Sequence, residues 1–396
     1  MRILYVASDQ RVPGRTGGSV HVLEVARGLA ARGHEVHAVV HRAASAPARE
    51  DSDGVHWHRI AWRPPHRFFR FRARRAVEAL AAAARAEVVI ERYYNFGGEG
   101  ILAATARGIP SLLEVNSPVV DHPGSAKGVL DALSVVRPLR RWRERLCREA
   151  TALVAPLPDI VPDFARAKTE TVTWGANVRD FSPARRSDAV RRELGIPDGA
   201  LAVVFSGSFR PWHGVHVLED AARALRHRDD VFFVLVGGPR AGEADGYRGR
   251  HLGAIPYERM PDVLASSDVG VAPYDTARLR QLRLGFYWSP LKIFEYMAAG
   301  LPIVAPAADR IPKLVEGGVE GLLYQPASPV TGLADALERL TDATLRTRLG
   351  AAARERAVRD YSWRAHCEAL DRAISGIQTT ETQRHRDIYG KGKEGK

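Results

Sequence analysis

A lysine and a glutamate lie three residues apart near the start of a predicted helix in the second half of the chain. Within the segment Ser289–Pro302, Ser289 is predicted to be the N-cap and Pro290 the first helical residue. Residues three apart share one helix face, so Lys292 and Glu295 lie together near the positive end of the helix. Lys292 could bind a phosphate while Glu295 accepts hydrogen bonds from vicinal ribose hydroxyls. We interpret the pair as a nucleotide site; a surface lysine–glutamate pair is the alternative.

A second candidate site is the turn Phe205–Gly214, which follows the first predicted strand of the second half. It combines Gly207 with Arg210 and His213 at the point where a strand runs into a helix. Such a turn can hold a diphosphate through backbone N–H groups and a guanidinium. An ordinary strand–helix connection is the alternative.

A third candidate site is the loop Asp9–Gly18, which ends in Gly17 and Gly18 before the first long predicted helix. Glycines allow a ligand to approach the backbone closely, and the helix start offers free N–H groups. Anion or sugar binding is one interpretation, and a tight turn is the other. The loop is not a G-x-G-x-x-G motif, which disfavours a dinucleotide dehydrogenase.

Patterns that suggest metal sites are interpreted as structural. Asp51 and Asp53 have D-x-D spacing, but they lie in a polar loop between predicted strands. His56 and His58 alternate on a strand with no third ligand nearby, and His34–His37 is not a zinc-protease helix motif. We therefore predict no metal site, and no catalytic serine or cysteine elbow is evident.

The composition is typical of a soluble globular protein: 396 residues, 45% hydrophobic and 26% charged. No apolar stretch approaches the roughly 20 residues that span a bilayer, and the first residues resemble a buried strand rather than a signal peptide. Two cysteines, Cys147 and Cys367, exclude a disulfide framework and favour a reducing compartment. These observations predict a cytoplasmic protein.

The net charge of +12 is concentrated in two arginine clusters of the first half. Each cluster is interleaved with aromatic residues, and the arginines are Arg63, Arg67, Arg70, Arg72, Arg74 and Arg75, then Arg137, Arg140, Arg141, Arg143, Arg145 and Arg148. Such segments can bind an anionic membrane surface or nucleic acid, or they are solvated helix faces. Because no nucleic-acid motif accompanies them, we expect no nucleic-acid partner. Contact with the inner face of a membrane, presenting a lipid-linked or otherwise anionic acceptor, is our hypothesis.

Strand and helix signals alternate through two halves of similar size, which predicts an α/β protein with two doubly wound domains. The first set of strands runs from Arg2–Ser8 to Glu170–Thr173. The second set begins with Leu201–Ser206 and Val231–Val236 and ends with Gly321–Tyr324. The predicted domains are residues 1–177 and 178–360. The polar, aperiodic residues 378–396 are predicted to be a disordered tail.

Together these segments resemble the retaining GT-B glycosyltransferases of glycosyltransferase family 4, over nearly the whole chain up to about Ser375. The matching motifs are Gly17–His21, Gly33–Val36, Gly175–Asn177, Glu295–Pro302 and Tyr361–Trp363. The resemblance implies two Rossmann-like domains facing a central cleft. It also implies that a C-terminal helix at about 361–376 crosses back to the N-terminal, acceptor-binding domain.

The resemblance implies metal-independent, cofactor-free transfer of a sugar, with retention of configuration, from a nucleotide-diphosphate donor to a hydroxyl or amine acceptor. The predicted catalytic residues are Arg210, Lys292 and Asn116. The predicted donor-binding residues are Gly17, Gly18, Gly207, His213, Ser289, Leu291 and Glu295. The acceptor side is assigned to His21, Glu91 and Asp121. An acceptor sugar, an aglycone or a lipid-linked saccharide would bind there.

The sequence departs from the family pattern at several positions. Tyr287 stands where the first glutamate of the family motif would fall. Ser208 and His213 occupy the places of the usual arginine and lysine of the phosphate turn, for which Arg210 and Lys292 could compensate. Asn116 lies where a histidine would be expected. Three alternatives therefore stay open: a nucleotide-sugar epimerase, a pseudo-glycosyltransferase and a non-catalytic nucleotide-sugar binder.

Overall fold

The computed structural model describes residues 1–14, 16–43, 46–61, 70–120, 137–275, 286 and 289–390, the last thirteen of these and residues 137–138 by backbone only. The chain forms two compact units. The first unit contains Met1–Thr173, Ser289 and the chain from His366 onward. The second contains Trp174–Phe286 and Pro290–Ala365.

The first unit is built on an eight-stranded sheet with the order β3-β4-β2-β1-β5-β6-β7-β8. All neighbouring strands are parallel except β3 and β4, which are antiparallel. The strands β1 to β8 are Arg2–Arg11, Glu35–His41, Arg49–Ser52, Val55–Ile60, Val88–Arg92, Ser111–Glu114, Ala152–Ala155 and Thr169–Thr171. The central strands are apolar and buried on both faces, as parallel sheets require.

Helices cover the first sheet. They are α1 to α5, at Gly17–Ala31, Arg74–Ala83, Glu99–Arg107, Arg137–Glu149 and Asp163–Arg166. The hydroxyl of Thr16 caps α1 by accepting a hydrogen bond from the backbone N–H of Ser19 at 3.2 Å. This cap therefore fixes the start of α1 a short distance along the chain from the end of β1.

The second unit repeats this plan with a seven-stranded sheet of order β11-β12-β10-β9-β13-β14-β15. The strands β9 to β15 are Leu201–Ser206, Val231–Val236, Ala241–Glu243, Gly249–Gly253, Val269–Val271, Ile303–Pro306 and Gly321–Tyr324. The helices α6 to α12 are Asp188–Glu193, Val215–Ala224, Met260–Ala265, Leu291–Ala298, Ile311–Leu314, Pro329–Arg339 and Ala343–Asp360. Strands β9 and β10 have the bounds predicted from the sequence, because each is a short, buried apolar run.

The helix predicted from Ser289 begins two residues later, at Leu291. Pro290, not Ser289, is the N-cap, and no side chain caps the helix. The backbone carbonyl of Pro290 instead accepts from the N–H groups of Ile293 and Phe294, at 2.9 and 3.4 Å. The prediction that Ser289 caps this helix was therefore wrong, although Ser289 is buried beside it.

The boundary between the units falls between Thr173 and Trp174, slightly before the predicted position. Beyond it, the N–H of Ala176 donates to the carbonyl of Tyr361 at 2.7 Å, and a Cβ atom on Gly175 would lie 2.2 Å from the backbone of Ser362. Only glycine allows this close approach, which explains why the motif Gly175–Asn177 can pack against the motif Tyr361–Trp363.

The last helix, α13, spans Trp363–Gly390 and joins the first unit from His366 onward. The N–H groups of Arg32 donate to Asp371, and the His366 ring lies 2.7 Å from the Thr173 carbonyl. Residues 378–390 of the predicted tail continue this helix, and residues 391–396 lie outside the described residues. Among the described residues, no helix combines the length and the apolarity needed to cross a bilayer.

Candidate active site

The candidate site lies in the second unit, where β9 ends in a turn beside the start of α9. A Cβ atom added to Gly207 would lie 2.8 Å from Lys292 Nζ and 2.9 Å from His213 Nδ1. A side chain at position 207 would therefore occupy the space between the lysine and the histidine. The structure thus places Gly207, His213 and Lys292 together, although they come from two separate motifs of the sequence.

Lys292 supplies a buried cation. Although the residue as a whole is half-buried, its Nζ atom is buried and has no hydrogen-bond partner among the described residues. It lies 4.3 Å from the centre of the Phe205 ring and 5.2 Å from that of Tyr274. Burial lowers the pKa of the lysine to about 7, which Glu295 partly opposes. An unpaired buried ammonium is costly, so this atom is suited to an anionic ligand.

His213 adds a neutral imidazole to the turn. Burial, followed by the charges of Lys292 and Arg210, lowers its pKa to about 3. Its Nδ1 atom is buried and lacks a hydrogen-bond partner within the described part of the chain. A neutral ring keeps one N–H donor, so His213 can bind a phosphate oxygen without adding charge.

Arg210 lies at the exposed end of the turn. Its guanidinium stacks 5.3 Å from the centre of the Trp212 ring. The preceding Phe209 has a φ of 52°, an uncommon conformation for a residue with a side chain. A Cβ atom on Gly214 would lie 1.6 Å from the carbonyl oxygen of Pro273, so glycine is required there. These features fix the path of the turn and leave the arginine accessible.

Glu295 lies in α9, one turn after Lys292, and is buried. The hydroxyl of Tyr257 donates a hydrogen bond to its Oε1 atom at 2.8 Å. Burial raises the pKa of Glu295 to about 7, although the Tyr257 hydrogen bond and the charge of Lys292 lower it. No sequence signal identified Tyr257, because it lies 38 residues away in another element.

Tyr296 anchors this helix to the sheet. Its hydroxyl accepts a hydrogen bond from the backbone N–H of Ser206, the last residue of β9, at 2.7 Å. Its ring packs over Gly270 of β13, where an added Cβ would lie 2.6 Å from ring atoms. These contacts hold Lys292 and Glu295 in position relative to the turn that follows β9. Of the other predicted donor residues, Leu291 is the half-buried first residue of α9, and Ser289 is buried and belongs to the first unit.

In the first unit, Gly17 and Gly18 form the first residues of α1. A Cβ atom on Gly18 would overlap the side chain of Gln10, which lies in β1. Asn116 is half-buried, two residues beyond the end of β6. Asp121 and the motif residue Tyr287 lie outside the described residues.

His21 and Glu91 make buried contacts within the first unit. His21 Nε2 lies 2.6 Å from Glu114 Oε1, and burial raises the pKa of Glu114 but is outweighed by His21, His366 and Arg92, which lower it to about 2. Glu91 accepts hydrogen bonds at 2.6 Å from the N–H groups of Gly98 and Ile101, at the start of α3. The sequence spacing did not indicate these buried contacts, and the acceptor-side assignment of both residues stays a prediction.

Two family descriptions match this chain and together span most of it. Residues 16–172 match a glycosyl transferase 4-like domain, and residues 200–343 match the glycosyl transferases group 1. The chain belongs to glycosyltransferase family 4. Both Rossmann-like units of the predicted GT-B fold are thereby accounted for.

Similar curated proteins cover the same span. A D-inositol 3-phosphate glycosyltransferase of Stackebrandtia nassauensis is 29% identical over 399 residues, which is 90% of this chain and 86% of the relative. A protein of the same name from Corynebacterium glutamicum is 35% identical over 213 residues, 51% of this chain and 50% of the relative.

Solved structures share the fold. Anabaena HepE in complex with UDP has a TM-score of 0.70 at 18% identity, covering 95% of this chain and 100% of that one. The catalytic domain of Arabidopsis thaliana starch synthase IV, bound to ADP and acarbose, has a TM-score of 0.69 at 14% identity, with 95% and 99% covered. The predicted fold is confirmed.

The family-4 match also confirms the predicted activity class. The protein is a glycosyltransferase that moves a sugar from a nucleotide-diphosphate donor. The match does not favour the epimerase, pseudo-glycosyltransferase or non-catalytic alternatives. The roles of the individual site residues stay predictions.

Proposed function

We propose that the protein transfers the sugar with retention of configuration, and that the donor diphosphate binds between Gly207, His213 and Lys292. The observation that carries this proposal is the buried Lys292 Nζ, which has no hydrogen-bond partner among the described residues and faces Gly207. A diphosphate there would replace the missing partner with charge-assisted hydrogen bonds. Glu295, held by Tyr257, would accept hydrogen bonds from the ribose hydroxyls.

In the proposed reaction, the bond between the anomeric carbon and the β-phosphate oxygen breaks as the acceptor hydroxyl approaches the same face of the sugar. The negative charge that develops on the diphosphate is stabilised by Lys292 and Arg210. The acceptor's proton passes to the departing phosphate oxygen, so no protein nucleophile or strong general base is needed. Fixed cations perform the task that a divalent metal performs elsewhere, and we propose that transfer is metal-independent.

The donor can be tested by thermal shift against UDP, GDP, ADP and TDP. We propose a uridine diphosphate sugar first, because similar structures contain UDP and UDP-glucose. A ligand at 100 times its Kd stabilises the folded state by about 2.7 kcal/mol, which is readily measured. The assignment requires that one nucleotide raises the melting temperature of the wild type and fails to do so for Lys292→Ala. Equal shifts in both proteins would place the diphosphate elsewhere.

We propose a phosphorylated cyclitol as the acceptor to test first, because several relatives are D-inositol 3-phosphate glycosyltransferases. Incubation with a UDP-sugar and either inositol 3-phosphate or inositol, followed by mass spectrometry, compares acceptors that differ only in the phosphate. A product from the phosphorylated acceptor alone would support an anionic acceptor. Equal product from both, or none from either, would contradict it.

We keep a cytoplasmic location with peripheral membrane contact as a proposal. Several arginines of α4 are already paired on the same helix: Arg140 and Arg148 with Glu144, and Arg145 with Glu149. These pairs reduce the charge that a membrane would attract. Flotation with anionic and neutral liposomes at low and moderate salt tests the contact. Equal, negligible binding to both would favour an acceptor that is not in a membrane.

A further inference from the structure

Histidines gather on one face of the first sheet, near its β3 edge. Strands β2 and β4 pair in parallel with His37 opposite His56. Because alternate residues of a strand share a face, Glu35 lies on the side of His37, and His58 lies on the side of His56. Strand β3 pairs with β4 in the opposite direction and places Asp51 opposite His56.

The side chains of Glu35, His37 and His56 also lie close together. The rings of His37 and His56 are stacked with centroids 4.6 Å apart. His37 Nε2 lies 3.1 Å from Glu35 Oε1. One nitrogen or oxygen atom from each of Glu35, His37 and His56 falls within 4.8 Å of the others. Of the two histidines that alternate on β4, only His56 belongs to this group, and β2 supplies the other two members, Glu35 and His37.

We propose that Glu35, His37 and His56 bind one divalent transition-metal ion, for which zinc is the natural probe. Two imidazoles and a carboxylate are a ligand set that zinc accepts, and other first-row metals compete for it. Bonds of about 2.0–2.1 Å in a tetrahedral arrangement separate neighbouring ligand atoms by about 3.3 Å. The His37–Glu35 separation of 3.1 Å is close to that value. The Glu35 side chain is 51% exposed and can adjust, and water would take the fourth position.

The surrounding side chains orient these ligands. His56 Nδ1 lies 2.7 Å from Asp51 Oδ1, an arrangement that leaves Nε2 of His56 for the metal. His37 Nδ1 lies 3.1 Å from His58 Nε2, so the Nε2 atom of His37 is likewise directed outward. Carboxylate and imidazole partners of this kind fix the orientation of metal-bound histidines.

The proposed ion would link β2 to β4 and, through β4, to the β3 edge strand. Its expected effect is on the stability of the first unit, because the diphosphate site lies in the second. The test begins with protein treated with a chelator, dialysed and titrated with zinc by calorimetry, with metal content measured after gel filtration. We expect one equivalent, and at least tenfold weaker binding in His37→Ala, His56→Ala and Glu35→Gln.

Two further variants sharpen the test. Asp51→Asn removes only the charge of an outer partner and should weaken zinc binding by about 10–100-fold. His227→Ala removes an exposed histidine of the second unit and serves as the matched control, which should bind zinc like the wild type. Circular dichroism checks that each variant is folded. Zinc binding that is absent from the wild type, or equal in wild type and folded His37→Ala and Glu35→Gln proteins, would overturn the proposal.

Discussion

Lys292 and Glu295 occupy neighbouring buried positions whose environments move their pKa values in opposite directions. Burial lowers the pKa of the lysine to about 7 and raises that of the glutamate to about 7. Each group is thus held close to the pH at which it loses its charge. Perturbed groups of this kind concentrate at functional sites, because burial and neighbouring charges there adjust each pKa to the task of the group.

Replacing Lys292 should affect nucleotide-diphosphate affinity and the free energy of unfolding differently. We expect Lys292→Met to weaken nucleotide-diphosphate binding by about 1.5–3 kcal/mol, the range for charge-assisted hydrogen bonds. The free energy of unfolding should not fall, because the variant removes a buried cation that has no hydrogen-bond partner in the described part of the chain. Calorimetry and urea unfolding measure the two quantities. The exposed Lys313→Met is the matched control and should change neither. Full nucleotide affinity in Lys292→Met would contradict the phosphate assignment.

The same two residues predict a bell-shaped pH dependence of donor affinity. A bound diphosphate raises the pKa of Lys292, so binding takes up a proton above pH 7 and affinity falls as the pH rises. Ribose hydroxyls that donate to Glu295 lower its pKa, so affinity also falls as the pH drops below 7. Titrations between about pH 5 and pH 9 should show both limbs. Lys292→Met should lose only the alkaline limb and Glu295→Gln only the acid limb.

Tyr257 is expected to act through Glu295. Its hydrogen bond lowers the pKa of the carboxyl, so Tyr257→Phe should move the acid limb of donor affinity to higher pH. At low pH the loss of affinity should exceed that at pH 8, whereas a purely structural defect would lower affinity equally at every pH. An unshifted acid limb would assign Tyr257 to packing alone.

At the scale of elements, a close packing contact between Gly270 and Tyr296 helps to position α9. Gly270→Ala would bring a methyl group within 2.6 Å of the Tyr296 ring. Overpacking of this kind costs about 1–3 kcal/mol, and the displaced helix carries Lys292 and Glu295. We therefore expect a lower melting temperature together with weaker nucleotide binding.

Gly376→Ala is the matched glycine control. It lies in α13, where nothing is within 4 Å of an added Cβ, so it should be neutral or stabilise the protein by up to about 1 kcal/mol. A Gly270→Ala protein with unchanged stability and affinity would show that α9 is not held by this contact.

The sequence predicted elements where one local pattern decides the structure. The buried strands β9 and β10 were placed correctly because apolar runs of this length have few alternatives. The cap at Ser289 was misplaced, since the carbonyl of Pro290 satisfies the first N–H groups of the helix instead. The contacts of Tyr257 with Glu295 and of Tyr296 with Ser206 join distant segments, and spacing along the chain contains no signal for them.

For the molecule as a whole, the family could be predicted, and the two candidate nucleotide-binding motifs could be recognised because each lies within one turn or one helix. The cluster of histidines on one face of the first sheet could not be predicted in this way. His37 and His56 become neighbours only through the pairing of β2 with β4. The pattern of either strand alone resembles an ordinary half-exposed strand, and the ligand set emerges only from the register of the sheet.

Chelation of the complete protein tests two separate roles for metal in one experiment. In the proposed mechanism, transfer relies on the charges of Lys292 and Arg210, so excess EDTA should leave turnover unchanged at a temperature well below unfolding. The zinc ion proposed at His37 and His56 stabilises only the folded state, so its removal should lower the melting temperature. Zinc should restore that temperature in the wild type but not in His56→Ala.

Turnover lost in EDTA and restored by magnesium or manganese would contradict metal-independent transfer. An unchanged melting temperature would instead contradict a stabilising metal while leaving the transfer mechanism intact.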